Sequence, residues 1–219
     1  MFILSLVFKA GAANLGFNPF TFLAPDNESL FLLGATGTVP IDRYGRFWTL
    51  FSANYLHGGI LHIFFNMFAF NQLGPLVVRE YGSYRMLTIY TLGGVFGYIV
   101  SYWAGIPLTI GASAAVCGLI GAIIYYGKSR GGTYGQALYS QVGGWAVGLF
   151  LFGFLVPGIN NWAHGGGMVA GALLGFLLGY QERRREILAH KVLAGGCVLF
   201  TVLSLTWAVA STLYLRLLF

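Results

Sequence analysis

The chain has 219 residues, of which 57% are hydrophobic and only 8% charged, and its mean hydropathy is +0.74. A soluble domain carries roughly a quarter charged residues, so this chain has too few charges to coat a water-facing globule. The formal net charge of +6 comes from twelve Lys and Arg spread over short connectors rather than gathered into a stripe, which points away from nucleic acid and towards a membrane-topology signal.

Breaks in hydropathy place membrane spans near 1–16, 56–78, 86–104, 108–127, 136–157, 162–180 and 192–215. Each approaches the length that crosses a hydrocarbon core of roughly 30 Å. The expected fold is all-α, a polytopic transmembrane bundle forming one membrane-embedded domain over 1–219. The first block is short and interrupted by Lys9. It reads as a clipped first span, because no signal-peptide cleavage site stands out before Asn18.

Residues 17–55 hold Pro19, Pro25 and Pro40, the acidic Asp26, Glu28 and Asp42, and the aromatics Phe20, Phe22, Phe31, Phe47, Trp48 and Phe51. This mixture suits a segment lying in the headgroup zone rather than a linker. Farther on, Arg79, Arg85, Lys128, Arg130, Arg183, Arg184, Arg185 and Lys191 fall in alternate connectors, against mainly Arg43 and Arg46 on the other face. The positive-inside rule makes the first set cytoplasmic and the 17–55 segment external. The 33 glycines, often at small-xxx-small spacing, would let helices approach closely in a bilayer. Cys117 and Cys197 fall inside apolar blocks and read as small core residues, not as a disulfide or metal pair.

Ionisable groups at membrane depth are costly, which makes each one a candidate for function. All six Asp and Glu residues lie in connectors or at their edges. Two facing carboxylates for an aspartyl protease, or an HExxH zinc helix, therefore cannot be assembled, and a proton relay of buried acids is absent. Histidine and serine remain. His57 and His62 open the second span and His164 the sixth, while His190, after the Arg cluster, is expected to be an exposed interfacial residue. His62 and Asn66, four apart, share one helical face. They offer two neutral donors to one point, and serve equally well as a packing pair between helices.

A serine such as Ser113 in a transmembrane helix ordinarily bonds its own backbone or a neighbour. His164 changes its weight, because Gly167, Gly171, Gly175 and Gly179 follow on one face of the same helix. That smooth face would bring the sixth span close enough to the fourth for an imidazole to reach a hydroxyl. Hydroxyl, imidazole and convergent donors are the minimum set for acyl transfer.

These residues resemble the rhomboid family over roughly 43–180. The run from Asn54 to Met67, with His62-x-x-x-Asn66, looks like the family's second-helix signature, Gly111-Ala112-Ser113 like its GxS, and Ala163-His164-Gly165-Gly166-Gly167 continuing to Gly171 like its sixth-helix AHxxGxxxG. The resemblance implies a six-helix core with a seventh C-terminal helix and an intramembrane serine endopeptidase with no cofactor or metal. It implies Ser113 as nucleophile, His164 as general base and then acid, and His62, Asn66 and the Ser113 backbone amide as oxyanion donors. His57 would frame a water-filled cavity, Asn161 would orient His164 or line that cavity, and Gly111, Gly167 and Gly171 would support the site. The implied partners are the lipid bilayer and single-span membrane proteins cut near the outer end of a helix, with the site opening to the extracytoplasmic side; a bacterial cytoplasmic membrane is expected from the chain's compactness and the lack of a targeting presequence.

Three positions depart from the family pattern: Ala114 follows the serine where glycine is frequent, Cys117 stands where an aromatic would stack on the histidine, and Thr49 follows Trp48 where an arginine would stand. The competing readings are a catalytically inactive rhomboid-like protein that binds or escorts transmembrane clients, and a channel or transporter lined by the same polar residues. Retention of both Ser113 and His164 weighs against the first, and the scarcity of intramembrane charge against the second.

Overall fold

The computed structural model describes residues 1–8 and 22–218. Six long helices occur among the described residues: α5 (Ile60–Tyr81), α6 (Ser83–Trp103), α7 (Ser113–Arg130), α8 (Gly132–Leu155), α9 (Asn161–Leu178) and α10 (Leu188–Leu218). Four short ones precede them: α1 (Phe2–Val7), α2 (Asn27–Leu32), α3 (Thr38–Tyr44) and α4 (Thr49–Ser52), the last running into a 3₁₀ turn at Ala53–Tyr55. The fold is a helical membrane bundle. Of the span expected over 1–16, α1 is seen, and residues 9–16 lie outside the described part.

By length and composition, α5, α8 and residues Leu188–Leu217 of α10 are apolar enough to cross a bilayer. The other three are rich in Gly, with Ser in α6 and α7 and Thr in α6, and form the centre of the bundle. In α7, small residues such as Ala114, Ala115, Gly118 and Gly121 allow burial of nearly every side, and α6 and α9 close in on it. A methyl group on Gly171 would collide with the Gly118 carbonyl, and one on Gly121 with the Met168 carbonyl. A methyl on Gly93 would come within 3.0 Å of Gly118 Cα. These approaches leave no room for larger residues and replace a hydrophobic driving force with close packing.

Residues 22–56 form a folded segment at the end of the bundle where α5, α7 and α9 begin. Leu30, Leu33, Ala35 and Leu56 are buried together, with Leu108 and Ile110 packed on them. Thr36 forms an antiparallel bridge with Thr109, the only strand-like pairing among the described residues. Ser52 Oγ donates to the Gly34 carbonyl at 2.9 Å, and Arg46 reaches the Phe31 carbonyl at 3.1 Å while lying over the Phe31 ring. Thr49 is fully buried against Thr36 at 3.0 Å.

The opposite end carries most of the Lys and Arg. Arg85, with no exposed surface, donates to the Tyr81 carbonyl at 3.0 Å, the Arg184 carbonyl at 2.5 Å and His190 Nδ1 at 3.3 Å. Its backbone N–H donates to Glu186 at 3.0 Å. The expectation that His190 is exposed is therefore corrected: it is 5% exposed, drawn under the 179–187 connector as an acceptor for Arg85. At the far end of α10, Thr212 Oγ1 donates to the Leu32 carbonyl at 3.0 Å.

Candidate active site

Ser113 is the first residue of α7, His164 the fourth of α9 and His62 the third of α5. Three helix starts thus converge at one end of the bundle. Ser113 Oγ lies 2.8 Å from His164 Nε2, and His164 is buried while Ser113 is partly exposed. A hydrogen bond from the serine hydroxyl to Nε2 makes that nitrogen the acceptor and puts the ring's own hydrogen on Nδ1. His164 Nδ1 is buried and has no protein partner among the described residues.

The opposite tautomer holds at His62. The Gly58 N–H donates to His62 Nδ1 at 3.2 Å, so the neutral ring carries its hydrogen on Nε2 and presents it as a donor. A methyl group on Gly111 would come within 2.7 Å of His62 Nε2 and 3.8 Å of Ser113 Oγ. The imidazole therefore lies against the turn that delivers the serine. Gly111 also has φ +119°, which an L side chain rarely adopts. Its carbonyl accepts from the buried Tyr98 hydroxyl at 2.5 Å and its N–H donates to Ala53 at 2.9 Å.

Asn66 is buried on the same face of α5, with its amide donating to the His62 carbonyl at 2.9 Å. His57 packs edge-on to His62 with ring centroids 5.2 Å apart, and both its nitrogens are buried without a protein partner among the described residues. Asn161 faces the other way: its amide donates to the Phe150 carbonyl of α8 at 3.4 Å, and a methyl on Gly153 would collide with it. A methyl on Gly167 would collide with the Ala114 carbonyl and come within 3.3 Å of Cys117 Cβ. Ala114 is itself accommodated by Gly97 of α6, where a methyl would stand 3.0 Å from Ala114 Cβ.

As the first residue of a helix, Ser113 has a backbone N–H with no intrahelical acceptor. The site therefore gathers a hydroxyl, a neutral imidazole acceptor, an imidazole donor and a free helix-terminal amide, with no carboxylate among these groups. Tyr98, Ser101, Thr109 and Asn160 were not singled out from the sequence. Only Asn160 had a readable signal, a helix-capping asparagine three residues before Ala163.

The family model for the rhomboid domain matches residues 44–181, more than half of the chain. The chain belongs to the rhomboid family. Among curated rhomboid relatives, it is 31% identical over 158 residues to RHOMBOID-like protein 4 of Arabidopsis thaliana, covering 71% of this chain and 40% of that protein. It is 32% identical over 173 residues to the mitochondrial RHOMBOID-like protein 6 of the same plant, covering 75% and 56% respectively. With the Rhomboid protease GluP of Bacillus subtilis (strain 168) it shares 33% identity over 154 residues, covering 70% and 30%. The aligned part thus spans between about a third and a little over half of these rhomboid relatives.

Proposed function

We propose that this rhomboid protein is an intramembrane serine endopeptidase that cleaves single-span membrane proteins with Ser113 and His164. The observation that carries the reading is the 2.8 Å contact between Ser113 Oγ and His164 Nε2 at two adjoining helix starts. In this mechanism the Ser113 hydroxyl attacks a substrate carbonyl while His164 Nε2 takes its proton. The oxyanion that forms is met by the His62 Nε2–H, the Ser113 N–H and the Asn66 amide once it leaves the His62 carbonyl. His164 then passes its proton to the leaving amine, and water hydrolyses the acyl-enzyme by the same steps in reverse order. A substrate peptide bond reaches Ser113 only after its helix partly unwinds, since helical packing shields the carbonyl.

The charged end, with Arg79, Arg85, Lys128, Arg130, Arg183, Arg184, Arg185 and Lys191, faces the cytoplasm under the positive-inside rule. The site then opens to the extracytoplasmic side, in the bacterial cytoplasmic membrane expected from the sequence. The test is cleavage of a single-span reporter in liposomes by wild type, Ser113→Ala and His164→Ala. Cleavage by the wild type with two folded, silent variants supports the protease. Equal behaviour of all three makes Ser113 structural and favours a client-binding protein.

A further inference from the structure

His164 lacks the third group that fixes the base in a three-residue triad, because its Nδ1 has no protein partner among the described residues. The placement of the imidazole must therefore come from the backbone it grows from and the side chains packed on it. That backbone begins at Asn160, the N-cap of α9. Asn160 Oδ1 accepts from the Ala163 N–H at 3.0 Å, and the Asn160 carbonyl accepts from the His164 N–H at 3.1 Å.

The other half of the same amide points outward from α9. Asn160 Nδ2 donates to Ser101 Oγ at 2.6 Å and to Thr109 Oγ1 at 3.0 Å. Ser101 is a fully buried residue of α6, and Thr109 lies in the loop that leads into α7. Thr109 stands four residues before Ser113, as Asn160 stands four residues before His164. One side chain thus ties together the two chain segments that deliver the hydroxyl and the imidazole. Thr109 is in turn held by its backbone bridge to Thr36, whose hydroxyl meets Thr49 at 3.0 Å. The clamp therefore extends into the 22–56 segment.

We propose that Asn160 is the positioning residue of the dyad, setting the Ser113–His164 distance by clamping the start of α9 to the loop before α7 and to α6. The inference rests on the protease reading above. Asn160 touches no reacting atom, so its contribution is geometric: it holds the ring where Nε2 meets the serine. Loss of that hold lowers turnover while leaving the binding of a distant transmembrane substrate helix intact.

The experiment measures kcat, KM and Tm in liposomes for wild type, Ser113→Ala, Asn160→Ala, Asn160→Asp and Thr109→Val. A misplacement near 1 Å costs up to about 100-fold, and Asn160→Ala is expected to lose roughly 10- to 100-fold in kcat with KM within about twofold. Asn160→Asp restores most of the rate, because its carboxyl accepts from the Ala163 amide and from both hydroxyls. Thr109→Val, which removes one of two anchors, falls between. The proposal is overturned if Asn160→Ala turns over like the wild type, if its loss appears only in Tm, or if Asn160→Asp is as slow as Asn160→Ala. Wild-type-like cleavage by Ser113→Ala sinks the protease reading and this proposal together. A silent Ser113→Ala beside a fully active Asn160→Ala sinks the proposal alone.

Discussion

The two ends of the bundle are fastened by different chemistry. Immediately around the dyad the links are neutral: hydroxyls, amides and imidazoles bonded to one another or to backbone carbonyls, as with Tyr98 on Gly111 and Asn160 on Ser101. At the opposite end they are charged, with Arg85 buried among carbonyls, Arg79 on Glu80 and Arg130 on Glu182. In the proposed mechanism a neutral setting suits a base that must start unprotonated, since a carboxylate paired directly with the ring would favour the imidazolium form. Charges at the other end hold connectors together, as Arg85 does on the Arg184 carbonyl and Arg130 on Glu182. The proposed dyad and the charged links thus lie at opposite ends.

Mutations can pull these two roles apart. The largest expected effect is on turnover: His62→Ala removes a proposed oxyanion donor and should lower kcat by about 10²–10³-fold with little change in Tm, read with the liposome reporter. Gly111→Ala comes next, because a methyl there both meets His62 Nε2 and requires φ +119° of an L residue. Its kcat should drop by roughly 10-fold or more through the shifted ring, and a fully active variant would show that His62 has room to move. Arg85→Met should do the reverse, leaving the turnover of folded protein unchanged while costing about 2 kcal/mol or more of stability from two carbonyls that lose a charged donor. Thermal unfolding in detergent checks that. The smallest effect belongs to Glu182→Gln, whose exposed pairing with Arg130 at 3.0 Å is screened by solvent. Both Tm and kcat should match the wild type, and a clear fall in Tm would show this end to be a coupled network.

Hydropathy and charge made much of the architecture legible. The spans expected near 86–104 and 162–180 lie within a few residues of α6 and α9. The helix expected to start at 108 begins instead at Ser113, because Thr109 is held in a bridge to Thr36 and Gly111 turns the chain with a positive φ. Such a pairing across more than seventy residues leaves no local trace in hydropathy. The helix expected to end near 78 runs on to Tyr81, through Pro75. There the Glu80 carbonyl accepts from Gln181 at 2.8 Å, so the extra turn is fastened to the far connector.

The site was partly legible for a physical reason. Ser113, His164, His62 and Asn66 are polar residues inside apolar blocks, and such residues stand out in a membrane sequence. The supporting groups do not. Tyr98, Ser101 and Thr109 are ordinary helix and loop residues until folding brings them to Gly111 and Asn160. Arg85 looks from the sequence like any other positive-inside residue, and only its burial marks it as the bolt between α6 and α10.

That bolt has a counterpart, and together they bear on how the molecule meets its lipid. The 31 residues of α10 span roughly 46 Å at 1.5 Å per residue, well beyond a hydrocarbon core of roughly 30 Å. A free helix of that length would slide or lean to suit the local bilayer. This one is held by Arg85 through His190 near one end and by Thr212 on the Leu32 carbonyl near the other. Its lean is set by the protein, so a change in membrane thickness bears on a braced strut whose second footing is the same segment that carries Thr36.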